Sequence, residues 1–391
     1  MAKGMAKKVL FLGGGPCTLI GLRRLREKLG PEEVEATIIT NSEWHYFPPL
    51  FADLALGEVE VDEIRGPVKT IAERYHANLV LDEVTKVDPA NRRVTTKGGK
   101  TFNYDYLFIC LGVRNAPEVI PGLAEHGYHN YSLEGALRMR EALAKFKGGD
   151  IVVLVPDFPH RCPGYPFEIA AKLAYFAERK GKPYKVHLVH LLNMNKIIEV
   201  FNEIPMTVHR IHSQFKNIEY HVGKKTVEVK DDKIIFEDGE MKYDLLIYAP
   251  PTRVPKAVEG VDDLLCKNDP ERVMAAVFPS FRNPKYDDVF VPTDASLPCV
   301  GLPPAGVVVH EAAVAAADQL IADITGVRAT IRFPRQVPLV ADFGPTGLLI
   351  SFEIYDNGDG TATAKKYVAF TSPLIKSMKL SFYLGWIWSL K

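Results

Sequence analysis

The sequence predicts an α/β fold in which two βαβ domains are followed by a C-terminal amphipathic segment. Three observations carry this prediction. A glycine triplet, Gly13-Gly14-Gly15, separates the β-rich run KVLFL (8–12) from the helical pattern TLIGLRRLREKLG. A second apolar strand, GGDIVVLVP, starts at Gly148 and reaches another helical pattern through HRCPGYP. The chain ends in TSPLIKSMKLSFYLGWIWSLK, where two of its three tryptophans fall within three residues.

The first element pair is strand, glycine turn, helix. Gly13 permits the tight turn, and Gly15 lets backbone N–H groups approach a pyrophosphate at the helix N-terminus, with Pro16 opening the helix. Thr18 stands where the third glycine or alanine of a GxGxxG pattern belongs. The next strand is EATIIT (35–40). A ribose-binding acid is expected roughly 20 residues after the glycines, but Thr40 and Asn41 hold that place, so the contact falls to neutral side chains. From LVLDEVTKV, which includes Val84, the chain reads as strands and hairpins with an Asn-Arg turn. It closes on the buried strand YLFICLG, which Gly112 ends.

The second strand, 148–156, has no glycine pair after it. Pro156, Pro159, Pro163 and Pro166 remove backbone donors there, which argues against a nicotinamide dinucleotide at that turn. Cys162 occupies it instead. A helix N-terminus together with Arg161 or His160 is expected to depress its pKa and favour the nucleophilic thiolate. Segment 303–326, PPAGVVVHEAAVAAADQLIADITG, reads as a helix with Gly306 at its start and Gly326 as C-cap.

Composition bounds the partners. The 391 residues suffice for two or three domains. Lys+Arg and Asp+Glu both number 48, so no nucleic-acid partner relying on bulk positive charge is expected. Five cysteines without CxxC spacing give no zinc or iron–sulfur motif and no disulfide scaffold. The apolar run before the glycine triplet is too short for a signal peptide, and no stretch reaches the roughly 18 apolar residues of a membrane span. Cytoplasmic synthesis is expected.

The layout GGGP, VTKVDPANRRV, YDYLFICLG and DDVFVPTDAS resembles the two-dinucleotide-binding-domain flavoproteins. The resemblance runs from residue 8 to the C-terminus and implies two Rossmann-like domains with bound FAD. Cys110-Leu111-Gly112 stands for the family's Ala-Thr-Gly, and Thr293-Asp294 for its Gly-Asp. Asp294 is then expected at the ribityl or pyrophosphate. The cofactor-binding set so implied is Gly13, Gly15, Pro16, Thr40, Asn41, Val84, Cys110, Gly112, Asp294 and Gly306. The helix starting at Gly306 is expected to stabilise negative charge on the reduced flavin.

Within these flavoproteins, CPGYPFE resembles the cysteine motif of sulfide:quinone oxidoreductases and the related flavocytochrome c sulfide dehydrogenases. That resemblance implies hydrosulfide oxidation at Cys162 and electron transfer to quinone. The family's second redox cysteine belongs just before ADFG, where this chain has Leu339 and Val340. Cys299, five residues after Asp294, is the replacement expected, so Cys162 and Cys299 are the catalytic candidates. Cys17 and Cys110 are expected beside the glycine turn and in a core strand, and Cys266 in a polar loop without a partner. His129, His190, His209 and His212 qualify as proton relays by position only, and none is assigned.

In the tail, Leu374, Met378, Leu380, Phe382, Tyr383, Leu384, Trp386, Ile387, Trp388 and Leu390 against Lys376, Lys379 and Lys391 suit a membrane interface. A lipid-soluble quinone would need such a dock, so peripheral membrane association is expected. A homo-oligomer is compatible with the sequence. The expected organisation is an FAD-binding domain over 1–147, a second Rossmann-like domain with the redox cysteine over 148–280, a return to the first domain over 281–330, and the membrane and quinone side over 331–391. The competing readings are a type II NADH:quinone oxidoreductase and a non-catalytic flavoprotein subunit of a sulfur-metabolising complex.

Overall fold

A computed structural model describes residues 5–201, 204–327 and 330–388. Its first sheet is parallel, with strands β1 (Lys7–Leu12), β2 (Val34–Thr40), β3 (Ala77–Leu81) and β4 (Tyr106–Ile109). The second contains β5 (Gly149–Val155), β6 (Tyr184–His190), β7 (Ile218–Val222) and β8 (Leu245–Tyr248). A late strand, β9 (Val289–Phe290), returns to the first sheet, giving the order β9-β4-β1-β2-β3. The second sheet runs β7-β6-β5-β8, also all parallel. Both central strands are apolar on both faces, as parallel strands covered by helices must be: Val9 to Leu12 and Ile151 to Val155 are all buried.

Helix α1 (Pro16–Arg26) follows β1, and α2 (Tyr165–Lys180) follows β5. Helix α3 (Gly306–Thr325) packs on α1 and ends on Gly326 in the left-handed conformation, φ 67°. The small buried residues Ala312, Ala313, Ala316 and Ala317 permit that close packing. An antiparallel bridge between Arg114–Asn115 and Thr252–Arg253 ties the two Rossmann-like halves together.

The C-terminal part is an antiparallel sheet, β10 (Gln336–Asp342), β11 (Gly347–Asp356) and β12 (Ala362–Ser372), backed by α4 (Pro373–Trp388). Helix α4 packs on β10 and β11. It still leaves Leu374, Met378, Leu380, Phe382 and Leu384 exposed, next to Val368 and Phe370 of β12. Leu390 and Lys391 lie outside the described residues, as do the side chains of Tyr383, Ile387 and Trp388. No described helix is long and apolar enough to cross a membrane.

Two lysines expected to face a membrane do otherwise. Lys379 is buried and pairs with Glu168 of α2, and Lys376 donates to the Gly344 carbonyl at 2.9 Å. Lys379 is therefore withdrawn from the outward face of α4, while Lys376 stays partly exposed.

The cysteines also depart from expectation. Cys17 is bonded to Cys110, and Cys266 to Cys299. Loops distant in sequence meet at the carboxyl ends of the strands, so cysteines that look scattered are neighbours in space.

Candidate active site

Parallel α/β sheets bind ligands outside the carboxyl ends of their strands, where the winding direction reverses. In the first sheet that point lies between β1 and β4. Gly13 sits there with φ 104°, and a Cβ on it would lie 2.6 Å from the Cys110 carbonyl oxygen. The turn is held by the Gly13 N–H donating to the Ile39 carbonyl (2.7 Å) and by the Thr18 hydroxyl donating back to the Gly13 carbonyl (2.6 Å). Thr18 thus closes the turn that a third glycine would otherwise pack. Gly15 and Gly306 both have open space where a Cβ would stand.

One cavity of about 1920 Å³ extends from this turn across the molecule. Ordinary small-ligand pockets measure roughly 300–1,000 Å³, so this one has room for a dinucleotide and a second ligand. Its wall includes all ten expected cofactor residues: Gly13, Gly15, Pro16, Thr40, Asn41, Val84, Cys110, Gly112, Asp294 and Gly306. Farther along it is lined by Phe47, Pro48, Met378, Phe382 and Trp386.

Whether these residues fit FAD is decided by Asp294. Its Oδ1 is buried at the cavity wall with no hydrogen-bond partner in the protein, and burial raises its pKa. A buried acceptor of this kind calls for a donor from a ligand, and a ribityl hydroxyl is such a donor. Backbone N–H groups at the start of α1, the neutral Thr40 and Asn41, and the unobstructed space at Gly15 complete a cradle for a dinucleotide. The residues fit FAD.

Cys162 stands between β5 and α2, at the wall of the same cavity as the glycine turn. Its φ is +54°, a left-handed conformation uncommon for a side-chain-bearing residue. Its N–H donates to the Pro304 carbonyl (2.8 Å), and its own carbonyl accepts from the Tyr165 N–H (2.9 Å). The loop before α2 is thereby fastened to the loop before α3, and Cys162 lines the cavity. Among the described residues Cys162 is the one free cysteine.

The thiol is not activated in the manner expected. Burial pushes its pKa up to about 12, and the carboxylates of Glu168 and Asp294 push in the same direction. Arg161 and Lys379 oppose them more weakly. His160 does not help: burial lowers its own pKa to about 4, so it is neutral. The Arg161 guanidinium is turned aside, 5.4 Å over the Tyr131 ring and donating to the Tyr131 carbonyl.

Cys299 requires a correction. It is bonded to Cys266 and does not line the cavity, although its neighbours Pro298 and Gly301 do. The loop turns Cys299 outward to meet a cysteine that the sequence placed alone.

Several residues at the cavity wall or just behind it escaped the sequence. Glu168, one turn into α2, is buried at the wall against Lys379. Tyr165 accepts from Asn130 Nδ2 (2.7 Å) and packs edge-on to Tyr131 (5.3 Å). Buried His45 donates from Nδ1 to the Gly14 carbonyl (2.8 Å) and accepts from the Trp386 indole (2.8 Å), coupling the glycine turn to α4. Glu168 and Tyr165 carried a sequence signal, both belonging to CPGYPFE.

The pyridine nucleotide-disulphide oxidoreductase family model matches residues 7–155. The sulfide-quinone reductase of Aquifex aeolicus (strain VF5) is 24% identical over 340 residues, 82% of this chain and 77% of that protein. The mitochondrial sulfide:quinone oxidoreductase of Mus musculus is 26% identical over 267 residues, 64% of this chain and 58% of that protein. A type II NADH:quinone oxidoreductase of Staphylococcus saprophyticus is 22% identical over 309 residues, 74% of each chain. The solved structure of the Aquifex aeolicus sulfide:quinone oxidoreductase superposes with a TM-score of 0.86 at 20% identity, covering 98% of this chain and 91% of that one. With the dinucleotide cradle, the fold and these relatives in agreement, the chain is an FAD-dependent flavoprotein oxidoreductase, similar over most of its length to sulfide:quinone oxidoreductases.

Proposed function

We propose that this protein oxidises hydrosulfide at Cys162 and delivers the electrons to a membrane quinone. The observation that carries the reading is a free cysteine held at the wall of the cofactor cavity, at the very turn where a nicotinamide-binding relative needs glycines. Bound FAD supplies the two-electron acceptor between sulfur and quinone.

The residues divide the task. The Gly13–Gly15 turn, Thr40, Asn41 and Asp294 hold the dinucleotide. Cys162 receives sulfur in a balanced step: Cys162–SH and HS⁻ give Cys162–S–SH, one proton and two electrons. Because burial keeps the Cys162 proton on, incoming hydrosulfide is the anionic partner, and the thiol yields its proton as the S–S bond forms. Glu168, whose pKa burial raises against the pull of Lys379, is a buried carboxylate at the same cavity wall able to take it. A second hydrosulfide then releases the outer sulfur and regenerates the cysteine. With Cys299 bonded to Cys266, this scheme uses one cysteine and favours short sulfur products over long chains. The apolar end of the cavity at Phe47, Phe382 and Trp386 suits a quinone ring, and the exposed face of α4 suits the membrane surface that supplies it.

Anaerobic absorbance of the purified flavoprotein tests the reading. Hydrosulfide is expected to bleach the flavin within the mixing time of a stopped-flow instrument, and added quinone to restore it, while NADH leaves it oxidised. Bleaching by NADH alone would instead favour the NADH:quinone reading.

A further inference from the structure

A second titratable cluster lies outside the cavity, on the sheet β7-β6-β5-β8. Parallel register sets His187 beside Glu219. The two-residue period of a strand puts His221 on the same face as Glu219. His187 Nδ1 lies 3.0 Å from His221 Nε2 and 3.5 Å from Glu219 Oε2, and His221 Nε2 lies 4.0 Å from that oxygen. On the far side of the ring, His187 Nε2 is 3.0 Å from Asp150 Oδ1.

A carboxylate only accepts, so neutral His187 donates from Nε2 to Asp150 and turns the lone pair of Nδ1 toward His221 and Glu219. Lys185 holds the other oxygen of Glu219 at 3.0 Å, leaving Oε2 directed at the two imidazoles.

We propose that His187, Glu219 and His221 form a binding site for a divalent transition-metal cation of the Zn²⁺ class. A tetrahedral ion bound at about 2.0–2.2 Å needs its ligands roughly 3.3–3.6 Å apart, and the three separations of 3.0, 3.5 and 4.0 Å bracket that value. Two imidazoles and one carboxylate suit Zn²⁺ and its neighbours rather than Mg²⁺ or Ca²⁺. The Asp150 carboxylate behind His187 is the outer partner that metal-bound histidines regularly have, fixing the tautomer and raising basicity.

Binding replaces the hydrogen bond between the histidines. The His221 proton moves from Nε2 to Nδ1, so the ring stays neutral and its Nε2 lone pair turns to the ion. Access is from solvent: the His187 side chain is 10% exposed, but those of His221 and Glu219 are 27% and 50% exposed. Two cations, Lys185 and Lys224, face the cluster, and each already has an acidic partner, Glu219 and Asp238 respectively. The ion would clip the edge strand β7 to β6. The site escapes sequence inspection because its ligands lie on two strands 32 residues apart at nearest, without a short motif.

The test is calorimetric titration of the chelator-treated, tag-free flavoprotein with Zn²⁺. One saturable site is expected. His221→Ala and Glu219→Gln, with flavin content and circular dichroism unchanged, are each expected to weaken it by more than about 100-fold, and Asp150→Asn by roughly 10–100-fold. Absence of saturable binding overturns the proposal. So does binding unaltered in His221→Ala and Glu219→Gln, since the ion would then sit elsewhere, Cys162 included.

Discussion

Cys162 shows how far a residue's chemistry departs from its local sequence. Its neighbours Arg161 and His160 and the following helix all suggested a thiolate. Tertiary structure reverses the sign: His160 is neutral, Arg161 is engaged by Tyr131, and the groups that dominate are burial and two carboxylates. The consequence is measurable. The reactive species is the deprotonated form, so well below the pKa its amount rises about tenfold per pH unit. Carbamidomethylation of Cys162 is expected to accelerate in that proportion from about pH 6 to about pH 9, with no plateau near the 8.5 of an ordinary thiol. A plateau below about pH 8 would mean that the thiol is activated after all. At the same scale, Gly13 and Gly15 carry a local signature, a glycine turn between a strand and a helix, whereas Asp294 was expected only from the resemblance to the flavoproteins. The Cys266–Cys299 bond was not, since it depends on two loops meeting in space.

At the scale of elements, β1-turn-α1 and α3 were legible from apolar periodicity and glycine stops. The tail was legible as amphipathic, but its charges were misassigned. Lys379 lies on the inner face of α4, where Glu168 holds it, and breaking such a buried pair costs about 3–5 kcal/mol. Linear sequence does not reveal which lysine turns inward, because the partner lies on α2. What remains outside is a face of Leu374, Met378, Leu380, Phe382 and Leu384. The membrane reading predicts that Phe382→Glu weakens co-sedimentation with phospholipid vesicles by roughly 10- to 100-fold, since burying a Phe side chain is worth about 1.5–3 kcal/mol. Flavin content should be unchanged. Equal vesicle binding by variant and wild type would assign that face to something other than lipid.

At the scale of the whole molecule, two Rossmann-like halves and a C-terminal sheet enclose one cavity that joins the dinucleotide turn, the free cysteine and the apolar helix. Enclosure has a cost in acid. Burial lowers the pKa of His45, His129, His160 and His212 to about 4, and that of His190 to about 3. Above the ordinary value of about 6.5 these rings are neutral whether the chain is folded or not, and stability is unaffected. Below it the unfolded chain takes up protons that the folded one refuses. Stability therefore falls as pH drops from about 6.5 toward about 4, each ring contributing on the order of 1 kcal/mol at one pH unit below its ordinary value. Thermal midpoints are expected to decline steeply between about pH 6.5 and pH 5, ahead of the carboxylate range. A flat profile there would place those histidines in contact with water.

Single-turnover flavin reduction in Cys162→Ala decides whether hydrosulfide is oxidised at Cys162. Anaerobic mixing with hydrosulfide should bleach the wild-type flavin and leave the variant oxidised, with the rate reduced by roughly 10³-fold or more. Both proteins should carry the same flavin content. Equal bleaching rates in the two would contradict the account and leave Cys162 as a structural residue of the loop before α2.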